Sequence, residues 1–210
     1  MLRDRTNNNR PGSARVFNQS ITLFLVSLIA ATALLMAACG KGGGGNSLHV
    51  KSPAAGEKDM PVKSSYAFAV TKSFTDIAGK ITTAASYRVY AANYDLDSSF
   101  FAQTMDKPLT SDDQMRVVFS LVGDEGTNDK SPAKAGTYSA KADKFMKVED
   151  VAIVTRKGGQ DNKQWLDRST LSGDVKVTAA SADSISGDVD LTSDDSSIKG
   201  SFTGKILTRK

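Results

Sequence analysis

Two hydropathy patterns divide the chain. From residue 21 to residue 38 every side chain is apolar or small and none is charged, as in a segment made to enter a membrane or a translocon. Beyond Leu48 the apolar residues fall instead in short runs that alternate with polar ones, the signature of strands. Tyr66-Ala67-Phe68-Ala69-Val70 and Tyr87-Arg88-Val89-Tyr90-Ala91 are two such runs, rich in aromatic and β-branched residues. Arg116-Val117-Val118-Phe119-Ser120-Leu121-Val122 follows, closed by Gly123-Asp124-Glu125-Gly126. Residues 148–155 form another run, residues 157–162 read as a hairpin turn, and residues 163–171 return as its partner. Gly136-Thr137-Tyr138 reads as the entry to a strand, and residues 95–103 fit either a helical turn or an edge strand. No stretch carries a sustained apolar stripe at helical spacing.

The last third is the most regular. Ser172-Gly173-Asp174-Val175-Lys176-Val177-Thr178 returns as Ser186-Gly187-Asp188-Val189-Asp190-Leu191-Thr192, and more loosely as Lys199-Gly200-Ser201-Phe202-Thr203-Gly204-Lys205-Ile206. Apolar and polar residues alternate in each copy, so one face of each strand is buried and the other is wet. Polar turns at residues 180–183 and 193–196 join the copies as a meander, and Ile206 and Leu207 keep the last strand inside the sheet. With about eight to ten short strands, residues 48–210 are expected to form a single all-β domain, an antiparallel β-sandwich or barrel-like meander.

Composition sharpens the division. The chain of 210 residues carries 27 basic and 23 acidic side chains, but Arg3, Arg5, Arg10, Arg15 and Asp4 all precede the apolar run. Without residues 1–38 there remain 23 basic and 22 acidic groups, a formal +1. So balanced a surface gives no clustered basic face, and nucleic acid is not expected as a partner. Residues 40–47, Gly-Lys-Gly-Gly-Gly-Gly-Asn-Ser, read as a flexible tether. The single cysteine, Cys39, allows no internal disulfide, and the single histidine, His49, gives no basis for a zinc or copper site. No cofactor or metal is expected.

Residues 1–38 have the layout of a secretory signal: a basic start, an apolar stretch, then small residues at the cut. The apolar stretch is long enough to span a bilayer, but Ala37, Ala38 and then Cys39 at its end favour cleavage. Here the chain resembles the bacterial lipoproteins, whose signal ends in an aliphatic residue, two small residues and the lipidated cysteine. Met36-Ala37-Ala38-Cys39 matches the last three positions, with methionine where leucine is usual and Leu34 and Leu35 just upstream. The resemblance covers residues 1–39 alone. It implies a diacylglyceryl group on the Cys39 sulfur, cleavage before Cys39 and acylation, such as palmitate, on the new amine. Two or three acyl chains hold a protein on a bilayer that one chain would leave. With Gly40 rather than aspartate next, the resemblance implies the outer membrane in a Gram-negative envelope, with the domain in the periplasm or at the surface.

The remaining chemistry is sparse. Asp174, Asp183, Asp188, Asp190, Asp194 and Asp195 lie on the meander and its turns, with Asp174 near Asp188 if the copies pair in register. Their spacing matches no calcium loop, and they read first as solvated acids that keep strands from pairing with other molecules. The chain has no G-x-S-x-G turn, and His49 is the only imidazole. A carboxylate-based glycan hydrolase is the weaker alternative. Tyr87, Tyr90 and Tyr94, close to Phe100 and Phe101, are a candidate stacking surface for a sugar or peptide, although alternate strand positions also suit the core. Trp165 reads as a core anchor. The expectation is a lipid-anchored envelope protein, not an enzyme, whose domain binds an envelope protein or glycan; a carbohydrate- or calcium-binding surface module is the alternative.

Overall fold

The computed structural model describes residues 46–99 and 106–208; the signal segment, Cys39, residues 40–45 of the tether, Phe100 and Phe101 lie outside the described residues. Eleven strands follow one another: β1 (Ser47–Ser52), β2 (Gly56–Pro61), β3 (Ser64–Thr75), β4 (Ile81–Ala92), β5 (Met115–Val122), β6 (Gly136–Ser139), β7 (Lys147–Lys157), β8 (Gln160–Trp165), β9 (Ser172–Ala180), β10 (Ser184–Ser193) and β11 (Ser196–Leu207). They make two antiparallel groups. One runs β3-β4-β5-β7-β8; the other runs β6-β9-β10-β11-β1-β2.

Two short parallel junctions join the groups. β11 meets β3 through Lys205↔Tyr66, Ile206↔Ala67 and Leu207↔Phe68, and β6 meets β7 at Ser139↔Lys147. The result is a closed eight-stranded mixed barrel, with β1, β2 and β8 as additions. The all-β expectation holds, and of its two alternatives the barrel is the one formed. The fully antiparallel expectation fails at the two junctions, because each closing strand reaches its new neighbour from a different group.

Both junction strands change partner along one edge. β7 pairs β8 over Ala152–Lys157 and β6 at Lys147, and between them lies a bulge in which Asp150 and Val151 face Phe119. Asp150 takes the left-handed backbone, φ 52°, and its carboxylate is held by Arg168. A bulge bends and twists its strand, which turns β7 from one partner to the other. β11 likewise pairs β1 over Ser197–Ser201 and β3 over Lys205–Leu207.

The barrel is filled rather than hollow. Val89, Val117, Phe119, Leu121, Val175, Leu191, Ile198 and Phe202 are all buried in one cluster. Phe119 of β5 and Phe202 of β11 meet edge to face at 5.3 Å, so one aromatic contact spans the two groups. The three repeat copies form β9, β10 and β11 as the expected meander. Their pairing sets Asp190 opposite Asp174 and Asp188 opposite Lys176, so the expected Asp174–Asp188 neighbours are replaced by a different register. The repeated glycine has a steric cause. A Cβ on Gly173 would lie 2.0 Å from the Asp190 carbonyl oxygen, and one on Gly187 2.3 Å from that of Lys176.

The partner of β7 ends sooner than the sequence suggests. β8 stops at Trp165; Ser169 N–H then bonds the Asp167 carboxylate at 2.8 Å, turning the chain so that Leu166 and Leu171 are both buried. Residues 95–99 are neither helix nor strand.

Candidate functional site

The outer face of the β3-β4-β5-β7 group is itself covered, by the described residues 93–99 and 106–114 of the connection from β4 to β5. Facing that segment are Tyr66, Phe68, Tyr90, Val118 and Ala152, which form a second apolar cluster with Leu96, Tyr94 and Leu207. Consequently β5 is buried at every position. Polar bonds fix the described parts of the segment. Ser64 Oγ donates to Tyr94 O at 2.7 Å and accepts from Leu96 N–H at 2.9 Å. Met115 N–H donates to Asn93 Oδ1 at 2.7 Å, and Leu109 N–H to Asp161 Oδ2 at 2.8 Å. Asp112 accepts from Gly158 N–H at 2.9 Å, tying the segment to the β7–β8 turn.

A charged and aromatic network lies under this cover. Arg116, whose side chain is only 4 % exposed, donates from Nη1 to Tyr94 Oη at 2.9 Å and Lys107 O at 3.2 Å. Its Nη2 stands 4.0 Å from Asp106 Oδ1, which Lys163 Nζ approaches to 3.7 Å. Tyr90 Oη donates to Asp106 Oδ2 at 3.4 Å. The Nε atoms of Arg88 and Arg116 are buried with no hydrogen-bond partner among the described residues. At the rim, Trp165 is 49 % exposed, and the Lys163 ammonium sits 4.6 Å from its ring centroid.

The three candidate tyrosines do not form one platform. Tyr87 and Tyr90 project from opposite faces of β4: Tyr87 lies inside the barrel, its hydroxyl bonded to Ser131 O, and Tyr90 lies in the outer cluster. Both are buried, which pushes their phenols up to about 12; a nearby Asp106 carboxylate adds to the rise at Tyr90. Burial also raises Tyr94, against the opposing pull of Arg116. All three phenols therefore stay protonated and serve as hydrogen-bonding groups. Trp165 reverses expectation in the other direction: β8 is an added outer strand, so a ring facing outward there stays half in water. The signal available in the sequence was its polar setting, Gln160-Asp161-Asn162-Lys163-Gln164.

The acids and His49 lie on the opposite side. Across the outer face of β2, β1, β11, β10 and β9 run Asp59, His49, Lys199, Asp190 and Asp174 in one register row. Lys199 Nζ pairs Asp190 at 3.0 Å. His49 Nδ1 lies 2.8 Å from Asp59 and Nε2 3.2 Å from Glu57, and hydrogen bonding to these two carboxylates, Asp59 first, raises the imidazole above its ordinary value. Among the described residues no group of three or more His, Cys, Asp or Glu side chains is arranged to hold a metal ion.

Chemically, the covered side offers guanidinium donors, protonated phenols, a carboxylate and an exposed indole, groups that hydrogen-bond and stack. Set against protein-family models, curated proteins and solved structures, the chain matches none.

Proposed function

We propose that this chain is a bacterial lipoprotein, anchored in the envelope through acylated Cys39, whose β domain binds an envelope component without catalysis. The leader and Met36-Ala37-Ala38-Cys39 support the anchor. The observation that carries the binding role is Trp165, half exposed at the rim of the Arg116–Asp106–Lys163 network. A solvated indole beside fixed charges is a recognition surface: the ring stacks on a sugar or peptide face, and the Lys163 ammonium beside it takes an anionic group. An anionic glycan or glycopeptide of the cell wall fits this chemistry best. The packed interior directs binding to an outer face.

The tests are separate for anchor and ligand. Cys39→Ser is expected to move the protein from the membrane fraction to the soluble one, or to leave it as an uncleaved precursor. If Cys39→Ser fractionates and migrates like wild type, the anchor is wrong. Trp165 is the only tryptophan, so its emission reports the rim alone. Titration with soluble muropeptides is expected to shift that emission in a saturable way, and Lys163→Ala to weaken it. Unchanged emission with muropeptides, but a shift with an envelope protein, moves the ligand class from glycan to protein.

A further inference from the structure

The β3–β4 hairpin carries a second surface, unrelated to Trp165. β11 pairs with β3 only up to Phe68, whereas β3 runs on to Thr75. The hydrogen-bonding direction of this extension can be read from its turn. Asp76 N–H bonds Lys80 O at 3.0 Å, so even-numbered residues of β3 face β4. On β4, the carbonyls of Thr83 and Ala85 accept from Gly126 and Gly123 on the far side, which agrees. The N–H and C=O groups of Thr71, Ser73 and Thr75 therefore point outward, and no strand pairs them among the described residues.

The outer edge of β2 is guarded by charge and proline, whereas on this one Thr71 Oγ1 bonds Asp129 and the strand backbone stays open among the described residues. β2 carries exposed Glu57, Lys58 and Asp59 and ends in Pro61, all features that block strand addition. The free stretch of β3, Ala69-Val70-Thr71-Lys72-Ser73-Phe74-Thr75, has no proline or glycine and is rich in strand formers. Its one charge, Lys72, is drawn onto Glu149 and lies 5.3 Å from the Phe74 ring. Among the described residues four large apolar side chains are exposed, and three of them, Val70, Ile77 and Ile81, lie on this hairpin, with Ile77 fully exposed.

We infer that this edge pairs with the same edge of a second copy, antiparallel and two-fold symmetric about Ser73. In that register Ser73 faces Ser73 of the second copy, Thr71 faces Thr75 and Lys72 faces Phe74. These are cross-strand pairs of favourable type, and all three outward-facing residues find backbone partners. Ile77 of each copy comes to the end of the other copy's β11, at the half-buried Leu207. Centring on Lys72 instead sets two like charges directly opposite, which is unfavourable. The self-complementarity about Ser73 is what selects a second copy over a foreign strand.

Cysteine cross-linking in the full chain tests this, in a Cys39→Ser background that removes the only other thiol. Residues opposite one another in such a pair are about 5.5 Å apart at Cα, within disulfide reach. Ser73→Cys is expected to form a disulfide-linked dimer on oxidation, whereas Val70→Cys, which faces Asp76, is not. Ser73→Pro removes an outward N–H that bonds nothing within one copy. It is expected to retain cooperative unfolding while abolishing the dimer in sedimentation at about 0.5 mM, where even a weak pair is populated. Equal cross-linking of Ser73→Cys and Val70→Cys, a monomer throughout, or a dimer that survives Ser73→Pro overturns the proposal. Cross-linking of Ser73→Cys to a different protein in cells, without self-linkage, assigns the edge to a foreign strand and overturns it as well.

Discussion

The two groups of strands bury their inner faces alike and treat their outer faces in opposite ways. β10 alternates buried and open along its length, with Asp188, Asp190 and Thr192 in water. β5, across the barrel, is buried on both sides, its outer side under residues 93–99 and 106–114. A bare face needs only polar side chains, and its ion pairs are well solvated. A covered face must find partners inside the protein for the polar groups it keeps: the Arg116 Nη1 bonds Tyr94 and Lys107, while the Nε atoms of Arg116 and Arg88 have no partner among the described residues. Charges on the two faces should therefore have unequal energetic weight, although both faces belong to one barrel.

That inequality is measurable by substitution. Arg116→Ala leaves a cavity, removes the buried donor to the Tyr94 hydroxyl and takes the cation away from Asp106, so a loss of about 3 kcal/mol in urea unfolding is expected. Arg116→Met, which keeps the volume, should recover part of it. Gly187→Ala forces a methyl against the Lys176 carbonyl and should cost about 2 kcal/mol by the same measurement, although it adds apolar surface. On the bare face, Asp190→Ala or Lys199→Ala should change stability by less than about 0.5 kcal/mol. Comparable effects for Arg116→Ala and Lys199→Ala would break the contrast.

The smallest effect is that of pH at His49. Its folded-state value is raised from 6.5 by Asp59 and then Glu57. A raised value means that the contribution is complete below the unfolded value and is lost as pH rises through the folded one. Proton NMR titration of the single imidazole should show a midpoint above 6.5 that falls in Asp59→Asn. A midpoint unmoved by Asp59→Asn would remove the hydrogen bond as its cause.

How much of this was legible depended on which side of the barrel a strand faces. The copies at β9, β10 and β11 alternate cleanly because one face is wet, and their order and turns follow from the sequence. β5 was legible as a strand because a run such as Val117-Val118-Phe119 suits burial on both sides. β1 and β2 were not: Ser47–Ser52 and Gly56–Pro61 hold few apolar residues, only Met60 of β2 is buried, and pairing of β1 to β11 and of β2 to β1 makes them strands. The parallel junctions were likewise hidden, since nothing local in Lys205-Ile206-Leu207 names β3 as its neighbour. The candidate site was half legible. Tyr90 and Tyr94 lie in the network, but Tyr87 points into the barrel, and Arg116 is a cation within an apolar run whose partners come from another segment.

The proposed role rests first on the anchor. Intact mass of the protein extracted from membranes tests it most directly. The expected species begins at Cys39 and carries the added mass of a diacylglyceryl group and an amide-linked acyl chain. A species that keeps residues 1–38, or one that begins elsewhere and carries no acyl mass, contradicts it.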